Sequence, residues 1–253
     1  MEQSWKTARS LFAAALGPPL FWLVVFFLVP LAIVWAYSFG QNQGLVEISF
    51  TGTFSNYARA IEPLYLKIFA KSAWVAALTT GLCLVAGFPV ALAITFAPTK
   101  TKAWLLLLVM LPFWTNLLIR TYALIAVLRT EGYINKSLEW LWNGAGGIAP
   151  LVGLAPLGNF TPLELLHNNF AVVLGLVYVH LPFMVLPLYS ALDRLDKSLL
   201  EASLDLGAGH MRTLFKVVVP LALPGIASGV LITFIPALGA YLTPDLLLSL
   251  IHI

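Results

Sequence analysis

The sequence predicts an all-α, polytopic membrane protein, and three observations carry that reading. Hydrophobic residues make up 60% of the 253-residue chain and charged residues 10%, against roughly 25% charged in an ordinary soluble domain. The mean hydropathy is +0.91. The apolar residues gather into five charge-poor runs, each long enough to cross a bilayer, with most of the Lys, Arg, Asp and Glu in the segments between them. Fourteen basic and eleven acidic side chains cannot cover a soluble globule of this size, so lipid must be much of the solvent. The net charge of +3 comes from basic residues scattered between apolar runs. That fits loop topology and not a phosphate-binding face, so nucleic acid is not an expected partner. The lone Cys83 excludes an internal disulfide framework and any CxxC metal or redox motif.

Lys6 and Arg9 precede the first run, whose start is punctuated by Gly17, Pro18 and Pro19, so the spanning helix is placed at 19–39. That length covers about 31 Å, enough for the hydrocarbon core. The run is longer than a signal-peptide core and lacks a small-residue cleavage site, so it reads as an uncleaved first helix. A polar segment follows, Gly40 to Lys71, read as an external loop with a short helix leading to a second span at 72–98. The third span, 103–128, is extended past Arg120. Beyond it, Ile134, Leu138, Leu141 and Trp142 recur at the spacing of an amphipathic helix. Gly144 to Pro162 is rich in Gly, Pro and Ala, which suits an irregular connection. The fourth span is 168–192 and the fifth 217–244, making 1–253 a single transmembrane domain. Trp22, Trp35, Trp74 and Trp104 fall near span ends, where interfacial anchors sit.

Orientation follows from Lys and Arg near the spans. With the N-terminus cytoplasmic, the inner segments hold Lys6, Arg9, Lys100, Lys102, Arg194, Lys197, Arg212 and Lys216. The outer ones hold Arg59, Lys67, Lys71, Arg129 and Lys136.

The cytoplasmic loop 193–216 is the most informative stretch. Ser198 and Glu201 have the S-x-x-E spacing of a capping box, which starts a helix by satisfying free backbone N–H groups. Leu195, Leu199, Ala202 and Leu206 share one face of that helix, and Gly207 and Gly209 mark its end. A second helical stretch from Met211 leads through Lys216 into the fifth span. The short helix suits either of two roles: an element lying on lipid headgroups, or a knob that docks into a partner protein and moves two spans together.

Glu201-Ala202-Ser203, three residues, Gly207, nine residues, Val217, one residue, Val219-Pro220 resembles the EAA motif of ATP-binding cassette (ABC) importer permeases, E-A-A-x3-G-x9-I-x-L-P. Glu201, Ala202, Gly207 and Pro220 match by identity, while Ser203, Val217 and Val219 depart mildly in size or polarity. Leu111-Pro112-Phe113-Trp114-Thr115-Asn116 with Ile119-Arg120-Thr121-Tyr122 is similar to the third span of spermidine/putrescine permeases. So are Glu131-Gly132-Tyr133-Ile134-Asn135, Leu181-Pro182-Phe183-Met184-Val185-Leu186-Pro187-Leu188-Tyr189 and Pro236-Ala237-Leu238-Gly239 with Pro244-Asp245-Leu246. The resemblance extends from about Pro19 to Leu246.

The resemblance implies the ABC importer permease fold, with five spans present and the family's sixth missing. The tail Leu248-Ser249-Leu250-Ile251-His252-Ile253 leaves the family pattern, so a truncated gene model is expected. It implies a permease subunit of an ATP-driven importer in the bacterial cytoplasmic membrane, with spermidine or putrescine as substrate. It also implies four kinds of contact: a second related permease, two ABC ATPase subunits, an extracytoplasmic solute-binding protein and the lipid bilayer. No cofactor is expected on this chain, since ATP is used by the partner ATPase. Glu201, Ala202, Ser203, Leu206 and Gly207 are the implied ATPase-coupling residues.

The remaining candidates carry two readings each. Arg120 either lines the pathway or its gate, or is snorkelling or paired structurally. Trp114, Asn116 and Tyr122 offer aromatic faces and an amide that could hold an ammonium group by cation–π attraction, or serve as anchors and packing. Asp245 could attract a cation at the external mouth, or be merely solvated. His180 could fill the polar gap that Pro182 leaves in the fourth span, or serve in a proton relay. No enzyme is expected. The sequence has no Walker A loop and no HExxH motif, and His167, His180, His210 and His252 are too dispersed for a metal site. A stand-alone secondary transporter would show intramembrane carboxylates or inverted repeats, and neither is visible.

Overall fold

A computed structural model of the chain describes residues 9–42, 48–50, 52–148, 159–240 and 247. The chain divides into two compact units, Met1–Ala70 and Lys71–Ile253.

In the first unit, helix α1 (Arg9–Leu23), a π turn (Val24–Leu28) and helix α2 (Val29–Tyr37) join into one long apolar rod. Its spanning part, Phe12–Tyr37, is 26 residues long, and its most apolar stretch is not buried against the rest of the chain. The helix starts ahead of the expected position, with Pro18 and Pro19 inside it. The carbonyls those prolines leave unpaired belong to Ala14 and Ala15, and small side chains in that turn make room for two pyrrolidine rings. The π turn ends two residues before Pro30, the second residue of α2. The polar segment that follows is ordered by its own hydrogen bonds. Strand β1 (Gly40–Asn42) pairs antiparallel with β2 (Ile48–Phe50), with Gly40 opposite Phe50. Helix α3 (Ser55–Ala60) sends Asn56 Nδ2 to the carbonyls of Ser38 and Gly40, at 3.0 and 2.8 Å. The Phe39 ring lies 5.5 Å from those of Phe54 and Tyr57.

Helix α4 (Pro63–Phe96) is 34 residues long and begins nine residues before the expected span. The second unit continues with α5 (Thr99–Met110), a 3-10 turn (Leu111–Trp114), α6 (Leu117–Leu128) and α7 (Tyr133–Ile148). After it come α8 (Asn169–Leu192), α9 (Lys197–Asp205), α10 (His210–Thr213), a second π turn (Leu214–Val218) and α11 (Val219–Leu238). The irregular connection expected at 144–162 lies largely outside the described residues.

The expected third span is broken. The helical pair Thr99–Trp114 and Leu117–Gly144 bends by 96°. Pro112 cannot donate to the carbonyl one turn back, Thr115 turns extended, and its Oγ1 donates to the Pro112 carbonyl at 2.8 Å. Among the described residues, four helices are long and apolar enough to cross a membrane, or five if this bent pair is one span.

The core of the second unit forms where α4 and α11 meet α8. Cys83, Ala91 and Ile94 from α4 cluster with Met184, Val185, Leu188 and Leu192 from α8, and with Val218 and Ala222 at the base of the last helix. The α8–α11 packing is close because α11 presents Gly225 and Gly229 to α8. A Cβ at Gly225 would stand 2.4 Å from Ala191 Cβ, and one at Gly229 would stand 2.8 Å from Met184 Sδ. Without a hydrophobic force between helices in lipid, this close small-residue packing supplies the attraction. A second cluster gathers Leu128, Ala171, Val172, Leu176 and Leu247.

His180 corrects one expectation. Its Nδ1 lies 2.8 Å from the Leu176 carbonyl, which can only accept, so Nδ1 carries the proton. The carbonyl that Pro182 leaves unpaired belongs to Tyr178, two residues away, so the imidazole does not fill that gap.

Candidate functional site

The short helix α9 is held at both ends by side-chain and backbone chemistry. Asp196 is the N-cap, its Oδ1 accepting the Ser198 N–H at 3.0 Å. This replaces the expected Ser198–Glu201 capping box. Ser198 is already the second helical residue, so its hydroxyl cannot reach back over the first turn, whereas Asp196 has the extended backbone a cap needs. The Ser198 N–H bound to the exposed Asp196 carboxylate holds that carboxyl below the usual range. At the other end, Gly207 takes φ +80. Its N–H donates to Leu204 O at 2.9 Å, and the Ala208 N–H donates to Ser203 O at 3.1 Å. This pair of bonds is a Schellman cap, and the left-handed residue it requires is the glycine of the sequence motif.

From there the chain turns back on itself. Ser203 Oγ lies 2.9 Å from Thr213 Oγ1, tying α9 to α10, which runs directly into the last long helix. On α9, Leu200 and Ser203 are half-buried, while Leu204 is 40% exposed. With Phe96, Leu214 and Val218 from the long helices, Leu200 and Leu204 wall an apolar cavity of about 550 Å³. Lys197 and Glu201 also line it. The stripe read from sequence as the helix's apolar face points elsewhere. Leu199 is 46% exposed and Leu206 88% exposed, and Ala202 between them is exposed too. Met211, which lines the cavity, and Phe215 are exposed as well.

The loop is anchored at a further point that sequence reasoning missed. Asp193, the C-cap of α8, accepts a hydrogen bond from Lys102 Nζ of α5 at 2.6 Å. That bond holds the exposed Asp193 carboxyl below the usual carboxylate range. Pairs 91 positions apart leave no periodic signal. Asp196 could have been found, since an Asp two residues before a Ser-Leu-Leu-Glu run is itself a cap signal.

The other candidates gather around the break between α5 and α6. Asn116 caps α6, its Oδ1 accepting the Leu118 N–H at 2.8 Å. Arg120 Nη2 donates to the Thr115 carbonyl at 3.0 Å, while its Nε and Nη1 are buried with no hydrogen-bond partner among the described residues. Trp114 and Tyr122 are exposed, at 74% and 59%. Asp245 lies outside the described residues.

An apolar helical bundle with helices long enough to cross a bilayer, and a capped short helix before the last of them, is a polytopic membrane protein. The chain belongs to the family of binding-protein-dependent transport system inner membrane components, which it matches over residues 6–250. It is 40% identical over 226 residues to the spermidine/putrescine transport system permease protein PotB of Salmonella typhimurium (strain LT2), covering 89% of this chain and 74% of that one. Against PotB of Escherichia coli K12 the identity is 39%, covering 89% and 77%. The inner membrane ABC transporter permease protein YdcU of the same organism is 32% identical over 243 residues, covering 93% and 74%. A crystal structure of a bacterial ABC transporter that imports the acidic polysaccharide alginate aligns with a TM-score of 0.63 at 18% identity, covering 98% of this chain and 84% of its own. That likeness shows the ABC permease fold. The chain is therefore a multi-pass, all-α ABC importer permease, and its relatives are transport subunits, not enzymes.

Proposed function

We propose that this chain forms part of the translocation pathway of an ATP-driven importer for spermidine or putrescine. A second, related permease completes the pathway, an extracytoplasmic binding protein delivers the solute, and two ABC ATPase subunits bind and hydrolyse the ATP. The N-terminus is cytoplasmic, which places α9 on the ATPase side.

The observation that carries this reading is the exposed stripe Leu199, Ala202 and Leu206 on a helix fixed at both ends. An apolar stripe left uncovered at a site tied to two long helices is a surface for a partner protein. Glu201, Ala202, Ser203, Leu206 and Gly207 are the coupling residues. Leu206 supplies apolar contact, Gly207 the turn and Ser203 the tie to Thr213. Closure of the ATPase pair displaces α9, and the long helices joined to it swing between inward- and outward-open states. On the solute side, Trp114 and Tyr122 supply aromatic faces for ammonium groups. Asn116 and Arg120 hold the shape of the break beside them, and Asp245 attracts the cation.

The test is site-directed cross-linking in the assembled importer. A Leu206→Cys variant should cross-link to a cysteine in the ATPase subunit, and the yield should change with bound ATP. Radiolabelled putrescine and spermidine uptake by the same complex should require ATP. Cross-linking with no polyamine uptake would keep the importer reading and move the substrate to another small solute. Absence of any cross-link along Leu199, Ala202 and Leu206 would sink the docking reading.

A further inference from the structure

Lys102 and Asp193 are each placed against the macrodipole of their own helix. Lys102 is the fourth residue of α5, in the first turn, where backbone N–H groups already present positive charge. Asp193 is the C-cap of α8, where exposed carbonyls present negative charge. Neither charge therefore stabilises the helix that bears it. Each is compensated by the other across a 2.6 Å contact. Lys102 Nζ also lies 5.6 Å from the centre of the Tyr189 ring. Tyr189 and Asp193 are four residues apart, one above the other on a helical surface, so they grip the ammonium from two sides.

The position of this grip matters more than its strength, because an exposed ion pair adds little to stability. Asp193 lies three residues before Asp196, the cap of α9, and the Leu195 N–H closes the turn between them on Leu192 O at 3.2 Å. The linkage leaves almost no slack between the start of α9 and the charge that holds α5. A cavity of about 170 Å³ beside it is lined by Thr95, Lys102, Asp193 and Lys197 together with apolar side chains such as Leu195 and Leu200. It gives the charges space to separate and be hydrated.

Resting on the docking reading of α9, we propose that Lys102, Asp193 and Tyr189 are positioning residues that pass displacement of α9 to α5 and so to the bent α5–α6 pair. The ion pair makes α5 follow the loop, although α5 is joined to it by no nearby stretch of chain. Without the pair, α9 and the last helix move while α5 lags, and ATP is hydrolysed with fewer solutes moved.

The experiment uses the complete importer in proteoliposomes, with Lys102→Ala, Asp193→Ala, Lys102→Arg and the exchanged pair Lys102→Asp/Asp193→Lys. ATPase retention on purification, ATP hydrolysis and solute uptake are measured for each. The single alanine variants should retain the ATPase and hydrolyse ATP, while uptake per ATP falls about fivefold, the low end of measured coupling between sites. The exchanged pair should return uptake per ATP to within about twofold of wild type, as should Lys102→Arg. The exchange also places each charge with its helix dipole, so it should fold even if an alanine variant does not. Unchanged uptake per ATP in the alanine variants, or loss of coupling in the exchanged pair with the ATPase retained, would overturn the proposal. A wild-type complex whose ATPase does not touch α9 would overturn the docking reading, and this inference with it.

Discussion

Gly225 of α11 and Ala191 of α8 approach so closely that a single added carbon would collide: its Cβ would stand 2.4 Å from that of Ala191 and 2.9 Å from the Pro187 carbonyl oxygen. The obstacle is backbone and a methyl group fixed to it, so neither can rotate away. Gly225→Ala should therefore destabilise the helix pair by about 1–3 kcal/mol, the usual cost of overpacking. Gly229→Ala meets the flexible Met184 Sδ at 2.8 Å, and should cost less than about 1 kcal/mol. Thermal unfolding of both variants in detergent checks the order; equal losses would show that α8 and α11 do not pack this way.

Gly207 sits at φ +80, a conformation that costs a residue with a Cβ about 1–2 kcal/mol. Space is not the issue, since nothing lies within 4 Å of the missing Cβ. Gly207→Ala and Gly207→Val should both fray the end of α9, and Gly207→Asn should do so less. Hydrogen exchange of the Ala208 amide should rise least in Gly207→Asn and more in the other two. In the assembled importer, uptake should fall in the same order while a stand-alone carrier would keep its flux.

Asn116 holds α6 by its side-chain oxygen at 2.8 Å from the Leu118 nitrogen. Asn116→Asp keeps a cap and should preserve stability, whereas Asn116→Ala should lose about 1 kcal/mol. If the amide instead contacts solute, both variants should alter the uptake KM at unchanged stability. Unfolding and uptake measured together separate the two.

The folded chain binds the ionised forms of Asp193 and Asp196 preferentially, because both carboxyls are held below their usual range. Their contribution is thus fully present above about pH 4 and is lost as pH falls through the lowered values in the folded state. Exchange at the Ser198 amide, taken relative to its intrinsic rate at each pH, should accelerate over that acid window. Asp196→Asn, which caps without titrating, should remove the acceleration, and Ser198→Ala, which deletes only the smaller side-chain hydrogen bond, should keep it over a window moved toward the ordinary carboxylate range. An acceleration that survives Asp196→Asn would place the effect elsewhere.

Hydropathy made the long helices legible, because a charge in lipid is expensive enough to leave a mark in composition. The motif likewise led directly to Glu201 and Gly207. The break at Thr115–Asn116 escaped hydropathy because both residues are small and uncharged; its signals were Pro112 and a capping Asn, which speak of geometry and not of solvent. The cap of α9 was misread for a related reason. Ser198 and Glu201 fit a capping box by spacing, but Asp196 competes for the same N–H groups from a better backbone position. Which face of α9 turns inward was also beyond periodicity, since the half-buried Leu200 is as apolar as the exposed Leu199 beside it. Lys102 and Asp193 meet only because α5 and α8 are brought together by folding.

The π turn at Leu214–Val218 sets the azimuth of everything above it. Along the last helix the buried positions are Thr213, Val218, Ala222, Gly225, Gly229, Thr233 and Ala237. Their spacing is three or four residues throughout, except for one step of five across the π turn. An unbroken α-helix turns about 100° per residue, so a continuous register from Thr213 would carry Gly225 and Gly229 off the α8 side. The wider turn absorbs one extra residue and acts as a vernier. It lets the chain face Ser203 at its foot and α8 above, two alignments that no single helical phase can satisfy.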